Sequence, residues 1–199
     1  MIEVREVCSR KERKEFLDFP DVLYWDNPCY VPPLRMDERK IFDKDYLYYD
    51  TCEAVYYNAY LDGRMAGRIS GILQKSSNSK WGQKRVRFTR FNVIDNFDVA
   101  KALFDKIEAW ACEKGMEEVC GPLGFSDLER EGLLIEGFDQ PSTFEESYNA
   151  PYYMEFLERL GYVKETDWTE SQLRAPKDED SIADMKKMAD FVMRRYKLH

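Results

Sequence analysis

The side chains able to do chemistry are few in kind. The only histidine is His199, the last residue, so a Ser-His-Asp triad, a Cys-His dyad and a histidine-rich metal centre all lack their central group. Cys8, Cys29, Cys52, Cys112 and Cys120 form no CxxC pair and are odd in number. That pattern predicts reduced, mostly buried thiols and no zinc site. Carboxylates and phenols remain. Glu131, Glu136 and Asp139 lie in a glycine-punctuated stretch, 123–149, too long to be a mere connector. They either meet a substrate or keep that loop soluble. Tyr46-Leu47-Tyr48-Tyr49 is either the wall of an aromatic pocket or a packing contact. Asp95-Asn96-Phe97-Asp98 stands just before a helical repeat and supplies cap chemistry.

The elements that must position these groups can be read from periodicity. Residues 2–7 alternate as a short strand. Ser9 with Glu12 forms a capping box for a helix carrying Phe16 and Leu17, and Pro20 is expected to kink it or end its first part. The stretch 27–40, with Pro28, Pro32 and Pro33, reads as a loop. Val55, Tyr57, Ala59 and Leu61 alternate with polar residues up to Asp62-Gly63, the favoured chemistry of a tight hairpin turn, and Met65 to Leu73 forms the return strand. Ser76 to Gly82 reads as a polar turn. Arg85–Ile94 is a further strand with a slip of phase. Val86 and Phe88 share one parity and Phe91 and Val93 the other, which a β-bulge near Thr89-Arg90 reconciles. Val99, Leu103, Ile107, Trp110 and Ala111 keep helical spacing as far as Gly115. A short strand at 118–120, a helix opened by Pro151 and stopped by Gly161, a last strand over 162–173 and an amphipathic helix over 180–196 complete the chain. Residues 1–174 read as one domain and 175–199 as a linker with a C-terminal helix.

The 199 residues are 44% hydrophobic and 34% charged, which describes a globular chain able to bury a core. The net charge of -8 opposes phosphate backbones, so nucleic acid is not an expected partner. The sequence has no apolar run long enough to span a bilayer and no leader-like start, so the cytoplasm is the expected compartment and no membrane partner is expected.

The order of elements, with the bulged strand leading into the helix from Asp98 and the run Asn149-Ala150-Pro151-Tyr152-Tyr153-Met154-Glu155-Phe156-Leu157-Glu158-Arg159-Leu160-Gly161-Tyr162, resembles the GNAT N-acetyltransferase superfamily over residues 1–173. The resemblance implies an α/β fold, a mostly antiparallel mixed sheet with one splayed parallel pair, flanked by helices. It also implies an acyl group carried from acetyl-CoA or another acyl-CoA to an amine on a small molecule or peptide. Phe91, Asn92, Val93, Asn96, Phe97, Val99 and Asn149 are the implied cofactor-binding residues. Glu53 is the implied base, and Tyr152 or Tyr153 the implied acid. No metal is implied. Val31-Pro32-Pro33-Leu34-Arg35, Gly132-Leu133-Leu134-Ile135-Glu136-Gly137-Phe138-Asp139 and Tyr148-Asn149-Ala150-Pro151-Tyr152-Tyr153 are similar to an uncharacterised bacterial GNAT-related group. Its members are longer and carry a second acetyltransferase-like half, so a second such domain, or a homodimer, is an expected partner.

Two positions depart from the pattern. The expected glycine-rich phosphate loop is here Asp95-Asn96-Phe97-Asp98-Val99-Ala100, with no glycine and two carboxylates. The position of the usual tyrosine acid is Leu157. Backbone needs glycine to approach phosphates closely, and carboxylates repel them. A non-catalytic recognition domain with the same fold is therefore the alternative expectation.

Overall fold

The computed structural model describes residues 1–143, 146–171 and 173–197; His199 lies outside them. The first strand, β1 (Ile2–Glu6), leads into α1 (Arg10–Leu23). Ser9 accepts the Glu12 N–H while the Glu12 carboxylate receives the Ser9 N–H at 2.8 Å, the capping box expected from the sequence. Pro20 does not end this helix. It sits inside the last turn, and the Tyr24 N–H still reaches its carbonyl. The proline-rich stretch is also not all loop, because α2 (Arg35–Lys40) forms two residues after Pro33. Leu47–Asp50 is one 3₁₀ turn.

Strands β2 (Cys52–Leu61) and β3 (Arg64–Gln74) pair as a hairpin over Asp62-Gly63. Both turn residues take positive φ, 49° and 78°, which is the geometry Asp-Gly favours. The polar stretch after β3 is a helix, α3 (Lys75–Trp81), ended by left-handed Gly82. β4 (Arg85–Val93), α4 (Phe97–Glu113) and β5 (Glu118–Cys120) follow. Then come the long loop, α5 (Tyr152–Arg159) and α6 (Glu179–Tyr196). The described residues of 162–173 form no strand, so the last expected strand is absent there.

The sheet has the order β1-β2-β3-β4-β5. All neighbours are antiparallel except β4 and β5, which are parallel. One face packs on α4, where Leu103, Phe104 and Ile107 meet Ile69, Val86, Phe88 and Val93 at 0–1% exposure. Burying each such side chain contributes about 1.5–3 kcal/mol. α4 lies so close to β3 that a Cβ on Gly71 would come within 3.1 Å of the Trp110 ring. The other face, covered by α1, is partly polar. Residues 1–164 form one compact unit, and the segment from Glu165 on, with α6, forms a second. Among the described residues no helix is long and apolar enough to cross a membrane.

The capping box gives a direct check. Ser9→Ala should lower unfolding free energy by about 1 kcal/mol, read as a shift in urea midpoint with unchanged slope.

Candidate functional site

The site is built around an interruption in β4. Arg90 has φ 50°, and the register with β3 slips between Arg68 and Ser70. The bulge lets Val86, Phe88, Phe91 and Val93 all face α4, as the phase slip in the sequence required. It also sends the Arg90 side chain to the opposite face. There the guanidinium meets Glu38 of α2 through Nε–Oε2 at 3.1 Å and Nη2–Oε1 at 3.0 Å, with Glu129 of the long loop 3.8 Å away. These side chains are 11–19% exposed. Burial raises the Glu38 pKa, but Arg90 beside it wins and holds the carboxyl below its ordinary value. Burial likewise opposes the Arg90 charge, and Glu38 and then Glu129 outweigh it, raising the guanidinium pKa.

On the other side of the bulge, β4 and β5 part. They pair only from Arg85–Glu118 to Arg87–Cys120. The Leu123 N–H then closes on the Phe88 carbonyl, where the backbone comes so near that a Cβ on Gly121 would lie 2.4 Å from that oxygen. At Val93 the outer edge of β4 is met by α5 instead of a strand. The Val93 N–H donates to the Tyr153 hydroxyl at 2.7 Å, and the Tyr152 hydroxyl donates to the Val93 carbonyl at 2.7 Å. Tyr153 is fully buried and its hydroxyl lies 2.9 Å from that of Tyr24. Burial raises the pKa of all three phenols, so each is a protonated donor at neutral pH.

Of the residues expected from the sequence, several converge here. Phe91 packs on Phe104 and Tyr153. Asn92 points to the α1 face and accepts from Arg68 Nε at 2.8 Å. Asn96 caps α4 by accepting the Val99 N–H at 3.1 Å, and Val99 is buried. Phe97, the first residue of α4, lies under the Arg159 guanidinium at 3.7 Å. Asp95 and Asp98 are exposed beside it. Asn149 is buried and clamps the long loop by bonding both the N–H and the carbonyl of Leu134.

Glu53 is placed elsewhere. It lies six residues along β2 from the Ala59–Gly67–Val93 rung, about 20 Å at strand rise. It pairs with Lys75 at 2.7 Å and with Lys114, and the hydrogen bond from Lys114, followed by that from Lys75, lowers its pKa. Tyr46, Tyr48 and Tyr49 surround Phe125, and Tyr46 donates to Glu129 at 3.1 Å. Glu131 forms an isolated bridge with Glu146, while Glu136 and Asp139 are exposed. Sequence reasoning missed Glu38, Arg68 and Arg90. The bulge marked Arg90, but its partner on α2 is a tertiary contact that no local pattern reveals.

The chain is similar to Protein YghO of Escherichia coli K12, 30% identical over 164 residues, covering 82% of this chain and 42% of that protein. It is also similar to the bacterial ceramide synthase of Caulobacter vibrioides, 29% identical over 168 residues, 83% of this chain and 44% of that protein. The chain thus spans under half the length of these curated relatives. Among solved structures, a predicted acetyltransferase with acetyl-CoA from Clostridium acetobutylicum has a TM-score of 0.52 at 10% identity, covering 86% of this chain and 96% of its own. A tandem GNAT protein from the clavulanic acid pathway has 0.53 at 14% identity, covering 81% of this chain and 43% of its own. No protein-family model matches. The fold is that of the GNAT acetyltransferases, and the chain resembles that superfamily.

Two outcomes check this site. Glu38 has a folded pKa below its unfolded value, so its contribution to stability is present above the unfolded carboxyl range and lost as pH falls through the folded value. Replacing Arg90 with Met should move the Glu38 titration, followed by carboxyl ¹³C shifts, upward. Tyr153→Phe leaves the buried Val93 N–H without its acceptor and should cost about 1–3 kcal/mol in denaturant unfolding.

Proposed function

We propose that this chain carries out N-acyl transfer, moving an acyl group from a coenzyme A thioester to an amine. The observation that carries the reading is the parting of parallel β4 and β5 after Arg87, with the Val93 edge beyond it turned toward α5 and the start of α4 close behind. An unpaired strand edge receives an extended amide-bearing arm, and a helix start receives phosphates. The residues fit the arm better than the phosphates. Val93 carries an edge amide and carbonyl, each bonded to a phenol of α5, and Phe97 and Asp98 head the helix beside Arg159. No glycine lines this turn, and Asn96 already holds the Val99 N–H.

When bound, the thioester supplies an activated carbonyl. The acceptor ammonium first gives a proton to water. Its nitrogen then forms the amide C–N bond as the C–S bond breaks, the sulfur takes a proton from the protein, and the nitrogen sheds its excess proton to water, which reprotonates the donor. Tyr152, half-buried and protonated, is assigned that donation; Tyr153 is assigned to hold Val93 in position. Glu53, held by Lys75 and Lys114 far along β2, has no part in this step. The ceramide synthase relative supports amide formation, since a ceramide is an N-acylated amine.

A second reading, a GNAT-like recognition domain without catalysis, is favoured by one observation. The Val93 amide and carbonyl are already engaged by the chain's own tyrosines. Calorimetry with acetyl-CoA decides between the two. Saturable binding that tightens several-fold in Asp98→Asn supports transfer, because a charge ~5 Å from a phosphate repels it by roughly 3 kcal/mol at an effective dielectric of ~20, less where water screens it. No heat and no thermal stabilisation at millimolar ligand contradicts it.

A further inference from the structure

The α1 face of the sheet is polar in a way that packing does not require. Five of the six buried polar or charged residues among those described, Asn58, Arg68, Ser70, Thr89 and Asn92, fall on it. They occupy adjoining rungs: Asn58 is opposite Arg68 and Arg68 opposite Asn92, and Ser70 is opposite Thr89. The buried side chains on the α4 face of the same strands are apolar.

Arg68 is the centre of this patch. It is 5% exposed, its guanidinium lies 4.7 Å over the Phe16 ring, and its hydrogen bonds go to two neutral acceptors, Asn92 Oδ1 and the Phe16 carbonyl, each at 2.8 Å. Among the described residues it makes no ion pair. The nearby carboxylate, Glu38, has both oxygens committed to Arg90. A buried guanidinium normally sits against a carboxylate or phosphate, because a desolvated charge is costly without one. One rung along, the Ser70 hydroxyl is fully buried and has no hydrogen-bond partner among the described residues, and neither does Asn58 Oδ1. A cation without a contacting anion, a spare hydroxyl donor and a spare carbonyl acceptor therefore share one face. Beside it, the ion-paired Glu38, Arg90 and Glu129 side chains keep 11–19% exposure.

We propose that this face is the acceptor subsite, and that it binds the anionic group, carboxylate or phosphate, of an amine that carries one. Arg68 and Ser70 contact the anion, and Asn58 Oδ1 accepts from the ligand's N–H. The word acceptor rests on the N-acyl-transfer reading; the anion site itself does not.

The test measures thermal midpoints and amide chemical shifts with β-alanine, O-phosphoethanolamine, inorganic phosphate and ethanolamine, without any acyl donor. Stabilisation by β-alanine or O-phosphoethanolamine, and none by ethanolamine, is the expected result. Equal stabilisation by inorganic phosphate would reassign the face to a free anion and overturn the acceptor role. Ser70→Ala removes a hydroxyl without a partner among the described residues, so its ligand-free midpoint should be unchanged or higher while ligand affinity falls at least several-fold. Arg68→Gln should abolish binding, and Arg68→Lys keeps the charge should the Gln variant fail to fold. Unchanged affinity in Ser70→Ala, or ethanolamine acting as well as the charged amines, would overturn the proposal. Loss of acetyl-CoA binding with the anion response intact would sink only the acyl-transfer reading, so the two failures are distinguishable.

Discussion

The contact between Arg90 and Glu38 is the constraint on which the rest of the site depends. A non-glycine residue in the left-handed region costs about 1–2 kcal/mol, and Arg90 adopts it in the middle of a buried strand. A two-pronged ion pair with Glu38, with Glu129 behind it, offsets that cost. Its desolvation is tolerable because both partners stay satisfied; removing one partner of such a pair typically costs about 3–5 kcal/mol. The bulge then has three effects. Both halves of β4 keep their apolar residues on α4, the strand bends away from β5, and Val93 turns its edge to the tyrosines of α5. The Val93 edge and the polar α1 face are thus two sides of one backbone irregularity.

The two sides differ in chemistry. The edge at Val93 is served by neutral groups, backbone amide and phenols, which suits an extended uncharged arm. The α1 face is served by Arg68, Ser70, Asn92 and the Arg90 pair, which suits a charged ligand. The chain's net charge of -8 does not describe either side, because its acidic excess lies largely on exposed surfaces. Local fields, set by burial, decide what each side can hold.

Much of this was legible in the sequence where the signal is local. The Ser9–Glu12 box, the Asp62-Gly63 turn, the 3.6-residue repeat of α4 and the phase slip at Thr89-Arg90 each rest on residues within a few positions of one another. Pro20 was misleading because a proline in the last helical turn loses only a hydrogen bond the helix can spare, and Tyr24 still closes onto it. The helices α2 and α3 were missed because six or seven residues with a single apolar side chain each carry no periodicity; tertiary contacts such as Glu38 with Arg90 hold the first of them. The placement of Glu53 far from Val93 follows from strand register, which no motif encodes.

A double-mutant cycle between Arg90 and Glu38 tests the central claim most directly. If this pair props the bulge open in a desolvated setting, removing either side chain should cost several kcal/mol and the coupling energy should exceed about 1.5 kcal/mol. A coupling of a few tenths of a kcal/mol, the scale of an exposed surface pair, would mean that the strand bends for some other reason and that Arg90 is a passenger.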